Sequence, residues 1–364
     1  LVVKRFVSKR ARRDLNPLLR NSHHGRQMSE TKPMSPSEGV SQYLTQKERG
    51  AAKTTVQSHK SRLQFFEQWC DQQGIDNLND LTGRDLHAYR LWRRDDGDLS
   101  AASEKTQMDT LRVFMKWAES VEAVTPDLHE AVVSPRLTKD DARTELVPAD
   151  TARDILEHLE RYEYASMNHA FAQLLWHCGF RVGACRALDV DDVDLDDQHI
   201  HVHHRPDTGT RIKGAKDGER YLAIDDETTR VLRDYIKANR EDVEDEHGRR
   251  PLLTTVHGRP HTETLRKKSY GLTRPCAIGT KCPHERDPDE CEAARDQSKA
   301  YDCPSSKSPH PWRRGAITHW LSQDVPADIV SDRFSVGRDV LDKHYDERSE
   351  FGKMEQRRDY LNDI

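Results

Sequence analysis

Side chains able to do chemistry concentrate in one stretch of this 364-residue chain. Ser308 to Tyr345 reads SPHPWRRGAITHWLSQDVPADIVSDRFSVGRDVLDKHY. It opens on a His-x-x-Arg pair, His310 and Arg313, and closes on Tyr345 in polar surroundings. A cation pair and a phenol brought together suit attack on a phosphodiester, the phenol as nucleophile and the cations stabilising the developing charge. The pair alone is weak evidence, because 19 His and 39 Arg yield about two such pairs by chance.

Two further cationic positions keep it company. Arg181 lies in GFRVGACRALDVDDVDLDD, flanked by Phe180 and Val182. A guanidinium left in such surroundings needs an anion, either a carboxylate or a bound phosphate. Lys213 and Lys216 lie in RPDTGTRIKGAKDGE, where a mobile ammonium serves solubility or protonates a leaving oxygen. The six Asp between 189 and 197 match no cation loop and are expected to be turn and cap residues.

A third group is Cys276, Cys282, His284, Cys291 and Cys303, inside a segment, 273–309, almost without aliphatic residues. Such a segment cannot build its own core, so a metal, disulfides or packing on its domain must hold it. The spacing is irregular for a standard finger. Four soft ligands in a reducing compartment nevertheless favour a tetrahedral structural zinc site, against the plainer alternative of free thiols in a polar loop.

The elements that must position these groups are mainly helical. In 36–135, apolar residues recur at helical spacing: Val56, Leu63, Phe66, Trp69 and Cys70 behind a cap at Thr54 or Thr55; Leu86, Tyr89 and Trp92 behind Thr82; and Met108, Leu111, Met115, Ala118 and Val121 over 103–121. A shorter helix is expected around Val40 to Leu44, and no strand. Lys53, His59, Lys60, Arg62, Arg90, Arg93, Arg94, Lys105 and Lys116 mark the polar faces, for which a solvated surface is the default. Residues 129–147 contain Pro135 and a charge run and read as a linker. Beyond it, Pro148 to Asp150 begin a helix through Leu159, and 166–178 form a buried helix ended by Gly179. HIHVHH and RYLAI (220–224) alternate as strands do, joined by a hairpin carrying the lysines. Near the end, Ala316, Ile317, Trp320 and Leu321 mark one helix, Asp324 to Pro326 a turn, and Ile329 and Val330 a second helix.

Composition limits the class. Hydrophobic residues are 34% and charged residues 33%, enough for helical domains with one buried face each. The length suggests two domains plus tails. No run of about 18 apolar residues suggests a membrane span. The basic N-terminus has no apolar core behind it, and the Cys count is odd, so a cytoplasmic protein is expected rather than a secreted disulfide framework. The net charge of −5 hides a basic arm: residues 1–27 carry eight Lys or Arg against one Asp. Residues 1–35 read as a disordered basic tail suited to DNA, or as sequence upstream of a natural start at Met28 or Met34. Abundant Asp, and Arg in preference to Lys, match adaptation to high salt, where specific phosphate clamps must carry more of any nucleic-acid affinity.

Arg181, Lys213, His310, Arg313 and Tyr345 occur in the order and setting of the tyrosine recombinase (phage integrase, Xer-like) family. GFRVGACRALDVDDVDLD resembles its first arginine box, RIKGAKDGERYLAI its catalytic-lysine hairpin, HPWRRGAITHWL its His-x-x-Arg box and DVLDKHYDER its tyrosine box. The resemblance spans about 36–355 and implies a mainly α fold with a small antiparallel β-sheet, clamped around duplex DNA. The implied domains are a helical core-binding domain (36–135), a linker (136–147), a mixed α+β catalytic domain (148–355) with the insert 273–309, and a tail (356–364). It also implies the roles: Tyr345 attacks, Arg181 and Arg313 clamp the phosphate, His310 shares the phenol proton, and Lys213 protonates the leaving oxygen, with Lys216 in reserve. Arg314 joins the substrate-binding group. No cofactor is implied for catalysis, and a homo-tetramer on DNA is expected. Three departures stand out. Ala184 occupies the place of a usual Glu. Val336 falls where the family has a phosphate-binding His or Trp, leaving Ser335 or Arg338 as substitutes. The Cys-rich insert is the third. The same chemistry in a monomer would be type IB topoisomerase-like, and a catalytically dead DNA-binding protein is the other alternative.

Overall fold

The computed structural model describes residues 32–138 and 145–345, with residues 351, 354, 355 and 358 beyond. The basic arm, part of the linker and most of the tail after Tyr345 therefore lie outside the described residues. Contacts divide the chain into two compact units, 1–142 and 143–364.

The first unit is helical: α1 (Pro36–Glu48), α2 (Lys53–Gln73), α3 (Gly83–Asp96) and α4 (Ala101–Ser120). The apolar stripes legible in sequence meet in one core containing Leu63, Phe66, Trp69, Tyr89, Leu111 and Phe114. Thr82 caps α3 through a reciprocal capping box with Asp85. Neither Thr54 nor Thr55 caps α2, whose N-cap is Ala52, without a side-chain hydrogen bond. The short helix around Val40 is a full α1, because Pro36 starts it and Ser35 caps it. Several of the polar-face cations are tied to neighbours: Arg90 donates to Glu104 at 2.5 Å, Lys105 to Asp109 at 2.7 Å, and Arg93 lies 3.7 Å from the Phe65 ring centre. The expected linker starts late, since Leu128 and Val132 belong to this core.

The second unit runs α5 (Ala149–Tyr162), α6 (Met167–Trp176), α7 (Val182–Ala187), β1 (Val193–Asp194), β2 (His199–Val202), β3 (Arg220–Ala223), α8 (Asp226–Asp234), α9 (Thr262–Leu272), α10 (Glu292–Arg295), α11 (Pro309–Ser322), α12 (Ala327–Phe334) and α13 (Arg338–His344). The sheet order is β1-β2-β3, antiparallel throughout, with Ile200 opposite Leu222 and Val202 opposite Arg220. α6 is buried on nearly all sides, as its apolar run requires. Among the described residues no helix is long and apolar enough to cross a membrane.

The aspartate run does more than turn the chain. Asp194 accepts from the amides of Asp196 and Asp197, as a turn residue should. Asp189 and Asp192, however, are buried in an ion network: Arg205 reaches both, while Arg249 and Arg259 join Asp189 to Asp245. Their partners come from as far as 70 positions away, so no local pattern announces them.

Candidate functional site

Each candidate side chain is placed by an identifiable local cause. Arg181 is the N-cap residue of α7, where the chain leaves α6 through Gly179. Gly179 has φ +56°, and a Cβ there would meet the Phe334 ring at 2.1 Å, so only glycine permits this close turn. Arg313 lies on the buried side of α11 at 1% exposure. It donates to the Gly179 carbonyl at 2.9 Å and to the carbonyls of Phe334 and Ser335. Arg181 reaches the same Ser335 carbonyl at 3.4 Å. Ser335 adopts φ +45° at the end of α12, which turns its carbonyl toward both guanidiniums.

Lys213 is exposed on the β2–β3 hairpin. The hairpin closes tightly because Gly218 lies against the Lys213 carbonyl, where a Cβ would stand 2.5 Å from that oxygen. His204 accepts from the Ile212 amide at 3.3 Å and so holds the segment before Lys213. Arg181, Lys213, Arg313 and Arg220 line one cavity of about 260 Å³, whose other lining residues include no carboxylate. Lys216 is exposed on the adjoining turn and does not line it.

Tyr345 ends α13 at 6% exposure. Its phenol lies close enough to the Arg313 and Arg181 guanidiniums to act on the charge of both. Arg314 lies 5.5 Å from the centre of its ring. Burial and the nearby Arg181 lower the Arg313 pKa, and Tyr345 opposes them. Arg181 is likewise lowered by burial and raised by Tyr345. His310 keeps an exposed edge, but partial burial and the charges of Arg313, Arg314, Arg181 and Lys213 hold its imidazole below the ordinary value. A neutral imidazole can accept a proton.

The two residues considered as substitutes at the third departure sit differently. Ser335 offers its carbonyl to the arginines. Arg338 is pulled outward into an ion pair with Asp328 at 2.7 Å. Val336 is buried, its amide donating to Ser331 and its carbonyl accepting from the Ser331 hydroxyl. Arg220 was missed in the sequence. Strand alternation puts it on the inward face of β3 with Leu222, and a cation on a buried face was the available signal.

Cys276, Cys282, His284, Cys291 and Cys303 all line one small closed pocket in the insert, and all four thiols are free. His284 Nε2 pairs with the Ser305 hydroxyl at 2.8 Å. Among the described residues no group of three or more His, Cys, Asp or Glu is arranged to hold a metal ion. Packing holds the insert: buried Arg274 donates to the carbonyls of Gly271, Ala293 and Ala294 and to the Gln297 side chain. Ala293 and Ala300 give it a small apolar foot.

A helical unit followed by a mixed unit that gathers arginines and a hairpin lysine around one cavity, with a buried tyrosine near two of those arginines, matches the architecture of a tyrosine recombinase. The phage integrase family model matches residues 145–270, and that of the phage integrase N-terminal SAM-like domain matches 41–121. The chain belongs to the phage integrase family. It is 25% identical over 205 residues to tyrosine recombinase XerD of Bifidobacterium longum, an alignment spanning 54% of this chain and 61% of the relative. The chain thus spans about three fifths of the length of that curated relative. Among solved structures, the Tn1549 transposon integrase in complex with transposon right end DNA aligns with TM-score 0.64 at 15% identity, over 90% of this chain and 100% of that one. A λ integrase dimer bound to a core site aligns with TM-score 0.59 at 14% identity, over 88% and 79% respectively. These likenesses establish the fold. The catalytic family match ends before the insert and before His310 and Tyr345.

Proposed function

We propose that this chain is a site-specific DNA recombinase or integrase that cuts and rejoins duplex DNA through a 3′-phosphotyrosyl intermediate. One observation carries the proposal. Four cations and no carboxylate line a single cavity, and the Tyr345 phenol lies near enough to two of them, Arg313 and Arg181, to act on their charge. Such a cavity suits an anion, and planar guanidinium forks suit phosphate.

The steps follow from the groups present. The Tyr345 oxygen attacks phosphorus while His310 takes the phenol proton. Arg181 and Arg313 stabilise the charge on the non-bridging oxygens. The bond from phosphorus to the 5′-oxygen breaks as Lys213 gives that oxygen a proton. The phosphotyrosyl bond retains the energy of the phosphodiester, so another strand's 5′-hydroxyl reseals it without ATP. These side chains supply both proton transfers and the charge neutralisation, so the step requires no cofactor.

The partner is duplex DNA, with copies of the chain assembling as a tetramer through the segment beyond Tyr345, in a cytoplasmic setting. A structural zinc ion in the insert would have to draw Cys276, Cys282, Cys291 and Cys303, or three of them and His284, together around it, since they are not so arranged here. The deciding experiment uses a nicked suicide duplex carrying the chain's own recombination site. A covalent protein–DNA adduct is expected from the parent chain and none from Tyr345→Phe. An adduct that survives Tyr345→Phe, or a parent chain that forms none, overturns the proposal.

A further inference from the structure

Val336 is buried and apolar, and the polar residues around it are engaged elsewhere. The amide and carbonyl of Val336 are both engaged by Ser331, and Arg338 is turned away to Asp328. A donor has to come from another element. β3 supplies a cation in the right place.

Arg220 stands opposite Val202, a residue 1% exposed, on the inward face of the sheet. Its Nε donates to the Arg333 carbonyl at 3.0 Å and its Nη1 to the Gly218 carbonyl at 3.0 Å. These bonds fix the plane of the guanidinium. Nη2 has no hydrogen-bond partner among the described residues, and no carboxylate there pairs with Arg220. Arg220 is close enough to Arg181 and Arg313 for their charges to repel, and all three line the cavity with Lys213. A half-buried guanidinium beside other cations, with no acid, carries a cost that an arriving anion relieves. The apolar walls of Val182, Val202 and Ile212 strengthen that attraction.

We propose that Arg220 is a further catalytic residue, its Nη2 donating to a non-bridging oxygen of the scissile phosphate in place of a donor at position 336. The assignment rests on the proposed function. The plainer alternative is that Arg220 only ties two carbonyls together.

A charge-neutral substrate separates the two. Adduct formation is timed on a suicide duplex with an ordinary scissile phosphate and on one with a methylphosphonate there, which lacks one oxygen charge. Arg220→Gln is expected to slow the ordinary duplex by about 10²-fold relative to the parent chain. On the methylphosphonate most of that deficit disappears, because there is less charge to neutralise. A purely structural role predicts the same deficit on both. An equal deficit, or no deficit, overturns the assignment. If Arg220→Gln shows no cooperative unfolding transition, Arg220→Lys carries the comparison, and its deficit must shrink on the methylphosphonate. A parent chain that forms no adduct on either duplex removes the proposed function and this role together; an active parent with an unaffected or equally slowed variant removes this role alone.

Discussion

The Arg313 guanidinium donates to the Gly179 carbonyl at 2.9 Å, tying α11 to the exit of α6 across 134 positions of sequence. The contact exists because Gly179 takes a left-handed turn and lets the Phe334 ring lie against its backbone. Gly179→Ala would place a Cβ 2.1 Å from that ring at φ +56°. Overpacking and the left-handed backbone together should cost about 3 kcal/mol. The expected result is a fall in Tm on the order of 10 °C in calorimetry. Unchanged melting would mean that Phe334 has room to move aside.

His310 is held below the ordinary imidazole value of about 6.5 by partial burial and by surrounding cations. In the proposed mechanism the neutral form accepts the phenol proton. As pH falls, His310 stays neutral to a lower pH than a free imidazole would. The rate of adduct formation should therefore be flat from neutral pH downward and drop through a midpoint below about 6.5. Removing one repelling charge raises the value, so Arg314→Gln should move the midpoint upward. A limb that stays in place in that variant would separate His310 from the proton transfer.

The ion network around Asp189 is predicted to anchor the lysine hairpin. Asp189 is 5% exposed and faces Arg205, Arg249 and Arg259. Asp189→Asn leaves those cations with less charge than they need. Removing one partner of a buried pair costs about 3–5 kcal/mol. Urea unfolding should show a lower midpoint with an unchanged slope. Because Arg205 lies at the base of the hairpin, protease sensitivity between 206 and 218 should rise as well.

What could be read in the sequence divides along the range of the signals. The helices of the first unit follow from apolar stripes within single segments, and the α2 start differed only because Ala52 does the work of a cap without a hydroxyl. Arg181, His310, Arg313 and Tyr345 each stand in a local motif, so their types and order were visible. Their convergence depends on Gly179, Phe334 and Ser335, whose conformations only the folded chain reveals. β1 was hidden inside the aspartate run, because two residues are too few for alternation to register. Arg220 stands in a strand legible from its alternation, and the same alternation that buries Leu222 puts its cation on the inward face. The pairing of Asp189 with Arg249 and Arg259 lies 60 and 70 positions away, where no periodicity can point.

The insert offers a test of what fastens it. Arg274 is 9% exposed and gives its donors to the carbonyls of Gly271, Ala293 and Ala294 and to Gln297. Arg274→Met removes them and leaves buried carbonyls without donors, at about 1–3 kcal/mol for each group left unsatisfied. If hydrogen bonding alone fastens 273–309, limited proteolysis should cut this variant rapidly there whether or not a chelator is present. If zinc on the Cys276, Cys282, Cys291 and Cys303 thiolates shares the load, the variant should resist until the chelator is added, because metal binding contributes directly to the fold. Metal analysis should then find one zinc per chain in the parent protein and none after the four Cys are changed to Ser. Rapid cutting of the variant in added zinc, with no metal bound to the parent chain, leaves Arg274 and the small apolar foot as the whole of the attachment.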